Sequence, residues 1–124
     1  MPTTFLSYSS WNLRRAEYLY DLLLQIDRTT VWVDWATCGQ VDDWRERVAP
    51  AIRDADNFIA LVTPEYEKSE NCRFEHGHAS NASKRTIAVS DSHTVAAFDH
   101  TVQWTEHLVG NLMRLLVPGG PQQK

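Results

Sequence analysis

Short apolar runs alternate along this chain with longer stretches in which apolar residues recur every three or four positions. The short runs predict β-strands, because they are rich in apolar, aromatic and β-branched residues and several end at turn formers. They occupy residues 4–8, 31–33, 58–62, 85–89 and 102–104. The periodic stretches predict helices. They occupy residues 12–27, 42–55, 69–83 and 108–116, and the weakly patterned segment 90–99 leaves room for a short helix near residues 95–98.

This alternation of strands and helices predicts an α/β fold, a parallel sheet with helices on both faces. Five strands in a chain of this length favour the flavodoxin-like strand order 2-1-3-4-5. The unbroken apolar run at residues 58–62 predicts a strand buried on both faces, in or next to the centre of the sheet. Residues 1–117 form the predicted domain, and residues 118–124, rich in Pro and Gly, are expected to be a tail or linker.

Composition narrows the class of protein. The chain has 124 residues, 43% of them hydrophobic, and a net charge of −4. Its basic residues are scattered, which argues against a nucleic-acid surface, and no apolar run approaches the roughly 20 residues of a membrane span. The first predicted strand follows the initial Met without a signal-peptide pattern. We therefore expect a cytoplasmic protein in which Cys38 and Cys72 are reduced thiols.

The candidate chemistry lies at residues 69–75, with the sequence SENCRFE. This stretch follows the strand at 58–62 and a predicted turn at 63–66, and it opens a helix with Ser69 or Asn71 as N-cap. Such a helix begins beside the carboxyl edge of the strand, where open α/β sheets bind ligands. Glu75 is then predicted to be a carboxylate at the rim of a cleft. The alternative is an ordinary solvated glutamate. The predicted core-facing residues of this helix are Phe74, His78 and Ala82.

Other α/β chemistries lack their motifs here. The turn after the first strand is Ser9-Ser10-Trp11, without the glycines that a dinucleotide site requires, and there is no P-loop. A phosphoacceptor receiver would need an Asp where Thr63 ends the third strand. His76 and His78 are two residues apart and lie on different faces of a helix, which disfavours a metal site. No nucleophile elbow supports Ser-His-Asp catalysis.

Several segments together resemble bacterial TIR (Toll/interleukin-1 receptor homology) domains. They are FLSYSS at 5–10, VWVD at 31–34, DDW at 42–44, AIRDAD at 51–56, TPEY at 63–66, SENCRFE at 69–75, KR at 84–85 and QW at 103–104. The ordered set covers roughly residues 5–116 and is much more specific than any one segment. The resemblance implies a flavodoxin-like TIR fold and, as in many bacterial members, cleavage of NAD+.

The resemblance also implies the site residues. Glu75 matches the catalytic glutamate through the Cys-x-x-Glu spacing from Cys72. The family usually has Trp before this Cys, where the chain has Asn71, and Trp35 or a residue of a partner chain is the expected replacement for that aromatic wall. Gln40-Val41 stands where the family has Pro-Gly in the loop after the second strand. The implied substrate-binding residues are Tyr8, Ser9, Ser10, Asp34, Trp35, Asn71 and Cys72.

The chemistry of NAD+ means that one carboxylate is sufficient to catalyse the release of nicotinamide. Nicotinamide is a cationic leaving group that departs neutral, so no general acid has to protonate it. The transition state resembles an oxocarbenium ion, and an ionised Glu75 can stabilise its positive charge. No cofactor or metal is expected, because NAD+ is the substrate. Whether the product is ADP-ribose or a cyclic isomer stays open.

Two functions follow from the resemblance. The first is an NAD+ glycohydrolase in bacterial antiviral defence, activated by self-assembly through TIR–TIR contacts that include the loop at residues 34–41, and coupled to a fused or associated sensor domain. The second is a non-catalytic adaptor that acts through TIR–TIR contacts alone. Nicotinamide release by concentrated protein distinguishes them.

Overall fold

The computed structural model describes residues 3–26, 30–33, 44–91 and 95–116, apart from the side chains of Trp44 and Arg45. Strands and helices alternate through these ranges. In chain order they are β1 (Thr3–Ser7), a 3-10 turn (Ser10–Asn12), α1 (Leu13–Gln25), β2 (Thr30–Trp32), α2 (Trp44–Asp54), β3 (Asn57–Leu61), α3 (Pro64–Lys68), α4 (Glu70–Asn81), β4 (Arg85–Ser90), β5 (His100–Gln103) and α5 (Leu108–Leu116).

The strands form one parallel sheet in the order β2-β1-β3-β4-β5. This confirms the predicted topology. The prediction of a central buried strand is also confirmed, because β3 lies in the middle and all five of its residues are buried. Strands β1 and β3 pair with Phe5 opposite Phe58 and Ser7 opposite Ala60. Their carboxyl ends therefore meet at one edge of the sheet.

Alternation along the strands divides the core between the two faces of the sheet. Leu6 and Tyr8 pack with α1 and α5 on one face. Phe5 and Phe58 pack with α2, α3 and α4 on the other face. Ser7 is two residues after Phe5 and shares its face, so the last side chain of β1 is directed toward α4.

Two segments differ from the predicted secondary structure. The predicted turn at 63–66 is the start of α3, because Thr63 caps the helix by accepting a hydrogen bond from the Tyr66 amide at 3.0 Å and Pro64 occupies the first turn. Residues 95–98 form a turn instead of a short helix. Next to it, Asp99 and Thr86 exchange two backbone–side-chain hydrogen bonds of 3.0 and 2.9 Å, which fix the entry to β5.

The buried face of α4 was predicted wrongly. Its buried residues are Cys72, Glu75 and Ala79, whereas the predicted core residues Phe74, His78 and Ala82 are half-buried. Both sets have helical spacing, and hydrophobicity favoured the set with Phe over the set with Glu. The Phe74 and His78 rings stack on each other with centroids 5.8 Å apart instead of entering the core.

The start of α4 is settled between the two predicted caps. Ser69 is the N-cap, and its hydroxyl accepts a hydrogen bond from the Cys72 amide. None of the helices in the described ranges is both long and apolar enough to cross a membrane. The predicted tail at residues 118–124 lies outside the described residues.

Two leucines of α1 allow a matched test of the core. Leu19 is fully buried and Leu24 is 48% exposed. We expect Leu19→Ala to lower the free energy of unfolding by about 2–5 kcal/mol, through lost burial and the cavity left behind, and Leu24→Ala to lower it by about 0.5 kcal/mol. The change in helix propensity is the same in both, so urea denaturation isolates packing. Equal losses would contradict the assignment of this helix face.

Candidate active site

A buried carboxylate lies where β1 ends against the second turn of α4. Glu75 is only 7% exposed, and its Oε1 accepts a hydrogen bond of 2.5 Å from the Ser7 hydroxyl. This length lies at the short end of the range for O–H···O hydrogen bonds. The expected position at an open rim is therefore wrong in one respect: within the single chain this carboxylate belongs to the protein interior.

A second hydroxyl extends the contact. The Tyr66 hydroxyl of α3 lies 2.9 Å from Ser7 Oγ and 3.5 Å from the carbonyl oxygen of Cys72. Since Ser7 has one hydroxyl proton and gives it to Glu75, Ser7 Oγ can only accept from Tyr66. The single Tyr66 proton therefore serves mainly the shorter bond to Ser7 and only weakly the longer one to the Cys72 carbonyl oxygen. The bonds therefore run in one direction, from Tyr66 through Ser7 to Glu75. We call these three residues the carboxylate cluster.

The Tyr66 phenol remains a donor in this cluster. Burial, together with the neighbouring Cys72 and Glu75, raises the pKa of Tyr66 well above its ordinary value, and the hydrogen bond with Ser7 offsets only part of that rise. Tyr66 is 4% exposed. A low-dielectric site disfavours the phenolate, so the hydroxyl keeps its proton throughout the neutral pH range.

Side chains also bind the two loops above the cluster to each other. The Thr63 hydroxyl donates to Asn12 Oδ1 at 2.7 Å, and Asn12 Nδ2 donates to Glu65 at 3.5 Å. The pKa of the Glu65 carboxyl is lowered, chiefly because this carboxyl accepts a hydrogen bond from the backbone amide of Glu65 itself. The hydrogen bond from Asn12 is the second cause. Because β1 and β3 are where the strand order reverses, these contacts span the crevice in which such sheets bind ligands.

The structure brings some of the predicted site residues together. Glu75 and Cys72 share the buried face of α4, and Asn71 is half-buried beside them. Ser9 is 4% exposed and caps the 3-10 turn by accepting from the Trp11 amide at 3.3 Å, and Ser10, exposed, begins that turn.

The remaining predicted site residues are either distant from Glu75 or outside the described residues. Tyr8 packs in the core under α1 and α5, on the face of the sheet opposite Glu75. Asp34 and Trp35 lie outside the described residues, as do Gln40 and Val41. The substrate-binding assignment of these residues stays a prediction.

Sequence reasoning missed Ser7 and Tyr66. Ser7 carried a signal, because it is a polar residue at the end of an apolar strand and shares the face of Phe5. Tyr66 was assigned to a turn; the Thr63-Pro64 helix start would have given it an inward direction. Their contact with each other joins residues 59 positions apart, which no local pattern reveals.

The two histidines next to the cluster make aromatic contacts. His76 stacks on Phe98 with centroids 4.0 Å apart, and its Nε2 lies 3.0 Å from the Ala97 carbonyl oxygen. Among the described residues, no group of three or more His, Cys, Asp or Glu side chains is placed to hold a metal ion. A cavity of about 190 Å³ lies against Tyr66 and His76, and a larger cavity of about 630 Å³ lies between β5 and α5.

Comparisons with known proteins define the family. The TIR domain family matches residues 4–109 of the sequence, and the chain belongs to this family. A search of curated proteins finds no significant match. The TIR domain of the Toll-related receptor TRR-2 from Hydra magnipapillata superposes with a TM-score of 0.71 at 14% identity, over 91% of this chain and 96% of that one.

Two further solved structures share the fold. The CMP N-glycosidase BcmB of Clostridium botulinum has a TM-score of 0.61 at 18% identity, over 92% of this chain and 97% of that one. A 2-deoxyribosyltransferase from Bacillus psychrosaccharolyticus has a TM-score of 0.63 at 12% identity, over 90% of each chain. At these identities the similarity establishes the architecture.

The buried phenol predicts an effect of alkaline pH. An unfolded tyrosine releases its proton near pH 10, whereas the raised pKa keeps Tyr66 protonated in the folded protein. The native state then binds more protons than the unfolded state, so the stability due to Tyr66 is fully present below about pH 10 and falls as pH rises. We expect Tyr66→Phe to lose less stability than the parent between pH 9 and 11, by up to about 1.4 kcal/mol per pH unit.

The measurement is urea denaturation at a series of pH values, which compares slopes and cancels the contribution of the lysines. Tyr18→Phe is the control, because Tyr18 lies on α1 and is 56% exposed; its slope should follow the parent. Parallel curves for the parent and Tyr66→Phe would show that the phenol does not stay protonated in the folded state.

Proposed function

We propose that this domain cleaves NAD+ at the bond between nicotinamide and ribose, with Glu75 as the catalytic carboxylate. The observation that carries the proposal is the carboxylate cluster, in which the Ser7 hydroxyl donates to Glu75 at 2.5 Å at the carboxyl edge of the sheet. When it is ionised, a buried carboxylate that accepts a directed hydrogen bond is a preorganised negative charge. Such a charge is most effective against a cation that forms during the reaction.

The reaction needs few groups. The bond between ribose C1′ and the nicotinamide nitrogen breaks, and its electron pair neutralises the pyridinium ring. The ribose acquires oxocarbenium character, which Glu75 stabilises. Water then attacks C1′ and releases a proton to give ADP-ribose, or a nucleophilic group of the same molecule attacks C1′ to give a cyclic isomer. The resemblance to bacterial TIR domains favours NAD+ as the substrate.

The names of two structural neighbours support cleavage of a bond between a sugar and a base. By their names, one is an N-glycosidase for CMP and the other transfers 2-deoxyribosyl groups. Both chemistries break a bond between a sugar and a base. A fold shared with such enzymes can present a carboxylate to C1′ of a nucleotide, although fold alone does not select the substrate.

The burial of Glu75 supports activation by self-association. With 7% exposure in the single chain, this carboxylate needs an opening before a substrate can reach it. We propose that TIR–TIR contacts involving residues 34–41 open and complete the site, with a sensor domain, fused or associated, controlling assembly. In this proposal residues 1–117 are the catalytic unit, residues 118–124 are a linker, and the protein acts in the bacterial cytoplasm in antiviral defence.

A second candidate function is a non-catalytic adaptor. Two observations favour it: the burial of Glu75 and the half-buried Asn71 at the position of the family's Trp. In that case the carboxylate cluster only joins α4 to β1. Assembly without nicotinamide release would select this function.

Substitution of Glu75 tests the catalytic role. We expect Glu75→Gln to lower the rate of nicotinamide release from NAD+ by about two to four decades, equivalent to about 3–5 kcal/mol of barrier. Gln can still accept the Ser7 hydrogen bond but cannot stabilise a cation. Glu70→Gln is the control on the same helix, because Glu70 is exposed; it should keep the parent rate. A Glu75→Gln variant with most of the parent activity would overturn the assignment.

Stability measurements on Glu75→Gln and Glu75→Ala separate a loss of catalysis from a loss of folding. Glu75→Gln should lower the free energy of unfolding by about 1–2 kcal/mol, because the hydrogen bond to Ser7 loses its charged acceptor. Glu75→Ala should lower it by about 2–4 kcal/mol, since it leaves the buried Ser7 hydroxyl without its acceptor and creates a cavity. Thermal unfolding of both variants therefore accompanies the assay, and activity is compared only below their unfolding transitions.

Self-association predicts a dependence on concentration. We expect nicotinamide release per molecule to rise with protein concentration and with crowding agents, because a second copy completes the site. Light scattering on the same samples gives the oligomeric state. Full turnover by a dilute protein that scatters as a monomer would contradict this activation.

A further inference from the structure

We propose that Tyr66 is a positioning residue that acts on Glu75 through the Ser7 hydroxyl. This inference rests on the proposed function for its catalytic consequence, while its structural part can be tested without activity. Its basis is the pair of hydrogen bonds that join three elements, from α3 to β1 at 2.9 Å and from β1 to α4 at 2.5 Å.

The direction of the bonds makes Tyr66 the first donor. The Ser7 proton is donated to Glu75, so the Ser7 oxygen accepts from Tyr66. By accepting this bond, the Ser7 hydroxyl becomes a stronger donor to Glu75. Hydrogen bonds in such a series strengthen one another in a low-dielectric environment. Removal of the Tyr66 hydroxyl therefore weakens the bond from Ser7 to Glu75, although Tyr66 does not donate to Glu75 itself.

Neutral donors suit the proposed reaction. A hydroxyl orients one carboxylate oxygen and favours the ionised form without bringing a full positive charge of its own. A lysine or arginine in the place of Ser7 would orient the carboxylate equally well, but its charge would offset the attraction between Glu75 and an oxocarbenium ion. Tyr66 and Ser7 thus orient the carboxylate without adding a positive charge of their own.

The phenol is itself held in place. The Tyr66 amide donates to Thr63 Oγ1 at 3.0 Å, and that same hydroxyl donates to Asn12. Tyr66 is almost fully buried, and its hydroxyl is also 3.5 Å from the Cys72 carbonyl oxygen. Its position is therefore set by α3 and by the segment after β1, together with its contact with the Cys72 carbonyl of α4.

Among the described side chains, Cys72 of α4 and Glu75 itself act electrostatically on Tyr66. His76, half-buried, is the next residue after Glu75 on the same helix. Helix α2, which packs against α4, carries charged side chains that are all exposed where they are described. They are Glu46, Arg47, Arg53 and Asp54.

The kinetic test is Tyr66→Phe, which removes one oxygen atom. Under assembling conditions with NAD+ we expect kcat to fall about tenfold, the rate equivalent of losing one hydrogen bond of about 1.4 kcal/mol, with KM nearly unchanged. The acid limb of the pH–rate profile should move to higher pH, because a carboxylate with weaker donors is protonated more easily. Ser7→Ala should have a larger effect of both kinds, and Ser7→Thr, which keeps the hydroxyl, should restore them.

A second measurement does not depend on activity. The Glu75 carboxyl carbon is followed by NMR in protein labelled at glutamate, and its signal is identified by its loss in Glu75→Gln. We expect the titration midpoint of this signal to rise in Tyr66→Phe and in Ser7→Ala. It should be unchanged in Tyr18→Phe, which removes an exposed hydroxyl of α1. Either variant suffices if the other does not fold.

The two proposals fail in different ways. If the parent releases no nicotinamide but the Glu75 midpoint rises in Tyr66→Phe, the glycohydrolase function is wrong and the positioning of Glu75 by Tyr66 stands. If the parent is active while Tyr66→Phe keeps its kcat, pH profile and Glu75 midpoint, the positioning role is overturned.

Discussion

Complete burial of β3 is the constraint on which the rest of this domain depends. A parallel strand covered on both faces needs crossover helices on both sides of the sheet, and all five residues of β3 meet that condition. Parallel pairing with β1 then aligns the ends of both strands at one edge. The loops that follow must leave from that edge, so Ser7, Tyr66 and Glu75 converge there although they come from three elements.

Burying a carboxylate at this edge opposes stability unless it is paired with donors. Here the Ser7 hydroxyl at the end of β1 donates to Glu75, and the Tyr66 phenol of α3 donates to Ser7. The phenol stays neutral because burial raises its pKa. Each of the two hydroxyls is matched to one acceptor within 2.9 Å or less. Such a cluster joins α3, β1 and α4 through two hydrogen bonds. It also retains a charge that apolar packing would not provide.

The sequence allowed the fold to be predicted almost completely, because the periods of strand and helix patterns are local and were consistent along the chain. Glu75 was also located, through its position after a strand and through the family motif. Its burial was not predicted, since a hydrophobicity pattern ranks Phe74 above Glu75 as a core residue. Ser7 and Tyr66 were missed for another reason: their bonds cross 68 and 59 positions, and only the paired register of β1 and β3 brings them together.

The same architecture in a Toll-related receptor, a CMP N-glycosidase and a deoxyribosyltransferase shows that the fold does not decide the function. The two functions proposed for this chain differ in whether Glu75 has only a structural role or also acts on a substrate. A structural carboxylate is most stable when a cation neutralises it, whereas a carboxylate that stabilises an oxocarbenium ion must keep most of its field until the substrate arrives. In the proposed function, donation by Ser7, supported by Tyr66, suits the second requirement, because neutral hydroxyls hold the geometry and add no positive charge of their own.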